Sequence, residues 1–113
     1  MSTDHWTNQV ACAVTVTEAD GTITEMNPVS IATFANYGGA ALIGSDVFAC
    51  HPEPSRMQLE SMFKTRQANH YTIRKNGQRK IIHQLPLMKD GVFQGYVEIS
   101  IPIPDDLPHF ERD

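Results

Sequence analysis

Strand-like spacing opens the chain at Cys12-Ala-Val-Thr-Val-Thr17, which places Cys12, Val14 and Val16 on one face. Glu18-Ala-Asp-Gly21 is a turn, and Thr22 to Met26 forms a second short strand. Asn27-Pro28 then starts a helix, with Asn at the N-cap and proline at the first helical position, where its missing N–H costs nothing. This helix is predicted to run to about Tyr37, to bury Ile31 and Phe34, and to stop at Gly38-Gly39. Leu42-Ile43-Gly44 and Val47-Phe48 anchor the loop that follows, in which Pro52 and Pro54 exclude regular helix. Ser55-Arg-Met-Gln58 has the capping-box pattern, so a second helix is expected from about Arg56 to Arg66, presenting Leu59, Met62 and Phe63 to a core.

Three strands complete the pattern, over about Asn69–Lys75, Arg79–Met88 and Val92–Ile101. They are joined by Asn76-Gly77 and Asp90-Gly91, the dipeptides that most favour tight hairpin turns. The order predicts an α+β domain: a five-stranded antiparallel sheet with helices packed on one face. Tight turns fix register. The first hairpin pairs Lys75 with Gln78, Tyr71 with Ile82 and His70 with His83; the second pairs Met88 with Phe93, Gln84 with Val97, His83 with Glu98 and Ile82 with Ile99. A bulge would shift the second set, and Pro86 opposite Gly95 is where one could sit. With this register the core face carries Tyr71, Ile73, Ile82, Gln84, Met88, Phe93, Val97, Ile99 and Ile101. The opposite face carries a row of His70, His83 and Glu98, with Ile81, Leu85, Leu87 and Tyr96 nearby. That outer patch is apolar enough to need a cover, either the N-terminal segment through Trp6 or a second copy of the chain. The histidine row lacks a fourth ligand and any tight His-x-His spacing, so it reads more simply as a hydrogen-bonded polar row than as a metal site.

Composition narrows the class. The chain has 113 residues, a formal net charge of −4 and 41% hydrophobic residues, which suits one compact domain. Residues 1–9 read as a tail or short helix, 10–102 as the domain and 103–113 as an extended, proline-containing and acidic exit segment. No apolar run is long enough to span a bilayer, and the polar N-terminus shows no export signal, so no membrane and a cytoplasmic setting are expected. Cys12 and Cys50 are then expected as reduced thiols. A pI near 5.6 argues against a nucleic-acid partner. Arg74, Lys75, Arg79 and Lys80 cluster at one hairpin tip, a routine defence of edge strands against sheet-to-sheet pairing.

The stretch Ala13-Val-Thr-Val-Thr-Glu-Ala-Asp-Gly-Thr-Ile-Thr-Glu-Met-Asn-Pro28 resembles the opening of a PAS domain. Leu42-Ile43-Gly44 is similar to that family's Leu-Ile-Gly after its first helix, and Lys75-Asn-Gly-Gln-Arg79 with Lys89-Asp-Gly-Val-Phe-Gln-Gly-Tyr-Val-Glu98 resembles its closing hairpins. Cys50-His51-Pro52-Glu53-Pro54-Ser55 resembles a Cys-His-Pro-Pro-x-Ser stretch in a subgroup of bacterial PAS modules. The resemblance covers about residues 10–102. It implies a stand-alone, non-catalytic module of bacterial signal transduction, binding a small molecule or a protein partner and dimerising. A ligand would lie between the helices and the inner sheet face, with Tyr71, Gln84, Cys50 and His51 as candidates to contact it. A homodimer would use the outer face through Trp6, Ile81, Leu85, Leu87 and Tyr96.

Sharper chemistries fit less well. His51 lies where haem-binding relatives place a ligand, but it precedes Pro52 on an irregular segment, and the Cys-x-x-Cys-His of covalent haem is absent. The Asn-Cys-Arg of flavin-based light sensors has no counterpart around Cys50. No catalytic residue is assigned. A thiol-based redox switch or enzyme using Cys50 and His51 is the competing class, weakened because sequence neighbours rarely aim at one another and no third group orients them.

Overall fold

The computed structural model describes residues 5–113. Strands β1 (Ala13–Glu18), β2 (Ile23–Met26), β3 (Asn69–Lys75), β4 (Gln78–Lys89) and β5 (Val92–Pro102) form one antiparallel sheet in the order β2-β1-β5-β4-β3. Helices α1 (Pro28–Thr33) and α2 (Ser55–Thr65), with the connecting segment, are inserted between β2 and β3 and cover one face, hereafter the inner face. This is the expected α+β architecture.

Asn27 shows why α1 starts where it does. Its Oδ1 accepts from the Ser30 N–H (3.0 Å), the ordinary N-cap bond, and also from the Val14 N–H (2.9 Å). Its Nδ2 donates to the carbonyls of Thr7 (2.7 Å) and Cys12 (2.8 Å), so one buried side chain joins the helix start, β1 and the N-terminal segment. The helix is shorter than its pattern suggested. It gives way to a 3-10 turn at Ala35–Tyr37, and the chain reverses at Gly38 with φ of 120°. Ser30, rather than Ile31 or Phe34, is the fully buried residue, because its hydroxyl meets Thr15 Oγ1 on the sheet at 2.6 Å. Ile31 and Phe34 are only half-buried.

Helix α2 begins at Ser55, with Pro54 at the cap position and no side-chain capping bond, so the capping box does not form. Backbone bonds from Arg56 to Pro52 and from Gln58 to Pro54 satisfy the first turn instead. The helix seats on the sheet through Phe63, whose ring meets Phe48 (4.9 Å), Tyr96 (4.8 Å) and Phe93 (6.1 Å). Leu59 and Met62 remain half-buried.

Both hairpin turns have the expected form, with φ of 52° and 79° at Asn76 and Gly77, and 52° and 78° at Asp90 and Gly91, as type I′ turns require. The β3–β4 register agrees with expectation from Lys75–Gln78 to His70–His83. The β4–β5 register agrees at Lys89–Val92 and Met88–Phe93, then shifts between Leu87 and Met88. Gln94 is the extra residue, and Gly95 falls opposite Leu87 rather than Pro86. Gln84 therefore pairs with Glu98, His83 with Ile99 and Ile82 with Ser100. A one-residue slip reverses every side chain beyond it. Val97, Ile99 and Ile101 thus belong to the outer face, while Tyr96, Glu98 and Ser100 belong to the inner one. Gly95 holds this shift, since its φ is 126° and a Cβ there would land on the Thr17 carbonyl oxygen.

The buried apolar residues are Ala13, Val14, Ile23, Met26, Ile82, Phe93 and Tyr96. Phe63 meets the Phe93–Tyr96 end of the sheet from α2, which itself buries no residue fully, whereas α1 buries Ser30 completely against β1.

Candidate functional site

The register places a polar row across the middle of the inner face. Asn69, Gln84, Glu98 and Thr15 stand opposite one another on β3, β4, β5 and β1. Asn69 Nδ2 donates to Gln84 Oε1 (2.8 Å), and Gln84 Nε2 donates to Glu98 Oε2 (3.0 Å). Each carboxamide hands a donor to the next acceptor, so the relay ends on the carboxylate. Thr15 closes the row from the other side but bonds Ser30 instead. Tyr71 stands beside the row, and its phenol is pushed above the ordinary range by burial and by the negative charge of Glu98.

Above this floor the helices leave space. A cavity of about 530 Å³ lies between the sheet and the segment from Phe34 to His51, with Ile23, Met26, Leu42 and Val47 as apolar walls and Glu98 on the floor. A second void of about 350 Å³ lies under α2 against Asn69, Tyr71 and Gln84, and it shares His51 with the first. A third, of about 190 Å³, continues past Phe34 and Glu98 to Tyr71, Lys75 and Lys80. The first and third share Thr15, Phe34, Lys75 and Glu98, and the second adjoins at His51; the three are hereafter the cleft. The first has the size and composition of small-molecule sites, apolar walls with few polar groups.

Of the residues singled out from sequence, Tyr71 and Gln84 are brought together on the floor, Tyr71 remaining 44% exposed. Cys50 and His51 line the wall. They are not paired with each other: His51 donates from Nδ1 to the Val47 carbonyl (2.7 Å), and the Cys50 sulfur lies 3.8 Å from Ser45 Oγ. Glu98, Asn69 and Thr15 were missed. Glu98 was expected outside, and the signal that could have placed it was Gly95, because an interior strand glycine often marks a bulge.

The outer face is correspondingly different from expectation. Ile81, Leu85 and Leu87 are on it, half-buried, now joined by Val14, Val16, Val97 and Ile99. Tyr96 is not: it is 4% exposed on the inner side, and its hydroxyl donates toward the carbonyls of Met62 (2.7 Å) and Gln67 (2.8 Å), fastening the end of α2. Burial also raises the Tyr96 phenol. Trp6 belongs to a 3-10 turn (Trp6–Asn8) beside the apolar strip, where a hollow of about 470 Å³ opens against Val14, Val16, Leu87, Val97 and Ile99. Trp6 itself is 61% exposed and does not cap the strip. His70 and His83 do meet, Nδ1 to Nδ1 at 2.8 Å, but Glu98 is on the other side of the sheet. No group of three or more metal-ligating side chains occurs among the described residues, and no helix among them is long and apolar enough to cross a membrane.

No protein-family model matches the sequence, and no curated protein sequence does either. Solved structures do match. The C-terminal domain of a Streptococcus mutans protein superposes with a TM-score of 0.73 at 17% identity, over 86% of this chain and 79% of that one. The PAS domain of BvgS from Bordetella pertussis gives 0.63 at 14% identity, over 88% and 82%. The PAS domain of an HTR-like protein from Haloarcula marismortui gives 0.58 at 18% identity, over 85% and 84%. The strand order, the helical insertion after the second strand and these superpositions agree: the chain has the PAS fold.

Proposed function

We propose that this chain is a non-catalytic sensory module that takes a small molecule into the cleft between its helices and the inner sheet face. The relay from Asn69 through Gln84 to Glu98 carries this reading. A sheet face covered by helices is ordinarily apolar, because a buried polar group stabilises nothing unless it is paired. Here the polar groups line voids rather than a packed core, Asn69 and Gln84 the one under α2 and Glu98 the two beside it. Similar folds occur in proteins described as a sensor histidine kinase and as a dual PAS-haem oxygen sensor, which supports a sensory role while leaving the ligand to this chain's own residues. His51 donates its Nδ1 hydrogen to the Val47 carbonyl and lines the wall; the bond leaves Nε2 open and so carries no argument for or against haem.

The signal would leave through the outer face. Its apolar strip of Val14, Val16, Leu85, Leu87, Val97 and Ile99 supports pairing with a second copy of the chain or with another signalling protein. Ligand-dependent seating of α2, held mainly by Phe63 and the Tyr96 hydroxyl, would bias the sheet between two packings. A thiol switch at Cys50 is less well supported, since His51 is engaged elsewhere.

The test is a thermal-shift screen of small molecules against the wild-type protein and Gln84→Leu, with native mass spectrometry for a ligand retained through purification. Compounds that stabilise the wild type and lose their effect in Gln84→Leu support the cleft. Stabilisers that act equally on both proteins, or none in a broad library, overturn it.

A further inference from the structure

We infer that the cleft selects an organic cation: a ligand with a protonated amine on an apolar body. This rests on the cleft being a ligand site and names the chemistry it would take. Glu98 accepts one hydrogen bond, at Oε2 from Gln84, and no donor reaches its Oε1 among the described residues. It forms no ion pair, the pairs among the described residues being Arg56–Glu60 and His109–Glu111. No buried side-chain oxygen among the described residues lacks a partner, so this open oxygen is reached by solvent, and a charged donor is the group best suited to take the place of that water. The relay sharpens that demand, because Asn69 holds Gln84 with its NH₂ toward Glu98 and prevents the amide from turning to take its place as an acceptor.

Aromatic residues line the same voids as this carboxylate: Phe34 lines both, Tyr37 one and Tyr71 the other. Ring faces attract cations through their quadrupole, and a carboxylate among rings is suited to an ammonium group. Two lysines are there as well: Lys75 lines both voids that Glu98 lines, and Lys80 lines one of them. Neither pairs with Glu98, and their long side chains reach water, so they define the alternative: a cleft governed by them would prefer an anion.

Phenethylamine, 2-phenylethanol and phenylacetate share a ring and differ in charge, and their binding to the full chain is measured by ligand-detected NMR titration. The ammonium probe is expected to bind about tenfold tighter than either of the others, the scale of one charge-assisted hydrogen bond. In Glu98→Gln that preference should fall to about threefold or less, by loss of the same bond. Equal binding of the three, tighter binding of phenylacetate, or a preference that survives Glu98→Gln overturns the inference. Should none of the three bind while neutral compounds stabilise the protein through Gln84, the cation preference fails and the cleft stands. Should nothing bind by either method, both fail. The comparison of probes on the wild type needs no variant, so it holds even if Glu98→Gln folds poorly.

Discussion

The two faces of this sheet depart from the usual division in opposite ways. The inner face, under the helices, carries the polar row Thr15, Glu98, Gln84 and Asn69 across its middle, between the buried Ala13 and Ile82 on one side and Tyr96 and Phe93 on the other. The outer face, with no α-helix on it among the described residues, carries Val14, Val16, Leu85, Leu87, Val97 and Ile99. An antiparallel sheet with one covered face is normally apolar toward the cover and polar toward water; here a polar row interrupts the first and an apolar strip the second. The difference teaches where to look for partners. A polar row beneath helices points to a guest within the fold, and an apolar strip without helices points to a surface outside it. Packing is close at two places on the inner face, where Phe63, Phe93 and Tyr96 meet and where Ser30 of α1 seats on Thr15.

The contrast can be broken most severely at Gly95. Gly95→Val would place a Cβ on the Thr17 carbonyl oxygen and force a β-branched residue to φ of 126°. Loss of about 3–5 kcal/mol in urea unfolding is expected, from backbone strain and clash together. A stability close to wild type would mean that the bulge, and hence the assignment of faces beyond it, is wrong. Asn27→Ala comes next, because that side chain links the helix start of the inner side to the N-terminal segment of the outer side. A cost of about 2–3 kcal/mol is expected, from a lost cap and from buried backbone groups left unpaired, with a shift in Trp6 fluorescence as its segment detaches.

The outer face is tested by Leu85→Lys. Sedimentation should show dimer affinity falling at least about tenfold, as for a charge placed in the centre of an apolar interface, with little change in the monomer's fold. A wild-type chain that stays monomeric at high micromolar concentration removes the second-copy cover. The inner face is probed more gently by Tyr96→Phe, which deletes the hydroxyl tying the end of α2 to the sheet and should cost about 1 kcal/mol. The same tyrosines set an alkaline limit. Tyr71 and Tyr96 both have phenols raised in the fold, so the neutral form is the one the native state favours. Their contribution is intact below the unfolded tyrosine value of about 10 and is lost as pH rises through the raised native values. Chemical unfolding at pH 9 to 11 should show stability falling, and falling less steeply in Tyr96→Phe. Smallest of all, Cys50→Ser should change stability by about 0.5 kcal/mol or less, since the residue is exposed and its polar contact among the described residues is the Ser45 hydroxyl at 3.8 Å.

Much of the fold was legible because its signals are local. Asn27-Pro28 marks a helix start by the hydrogen bonds and fixed φ of those two residues, and α1 begins there. Asn76-Gly77 and Asp90-Gly91 mark hairpins because they tolerate positive φ, and both turns form. The end of α1 was less legible, since the chain passes into a 3-10 turn at Ala35–Tyr37 before the glycines that mark the stop. The capping box at Ser55 has the right residue types, yet the chain entering through Pro52 and Pro54 puts Ser55 inside the helix. Among the candidate site residues, Tyr71 and Gln84 were placed on the correct face because they lie on the hairpin whose register holds. Glu98 lies beyond the bulge, and counting from the turn assigns it to the wrong face.

By itself, then, the sequence determined the elements, their order and both hairpin turns, because caps, prolines and Asn-Gly or Asp-Gly pairs act within a few residues of themselves. Which face each residue of β5 serves was decided only in three dimensions. The bulge sits where β1 and β5 must approach across Gly95, a contact between residues far apart in the chain. That single extra residue carries Glu98 inward to the end of the Gln84 relay and turns Val97 and Ile99 outward, and so it settles both the chemistry of the cleft and the character of the outer face.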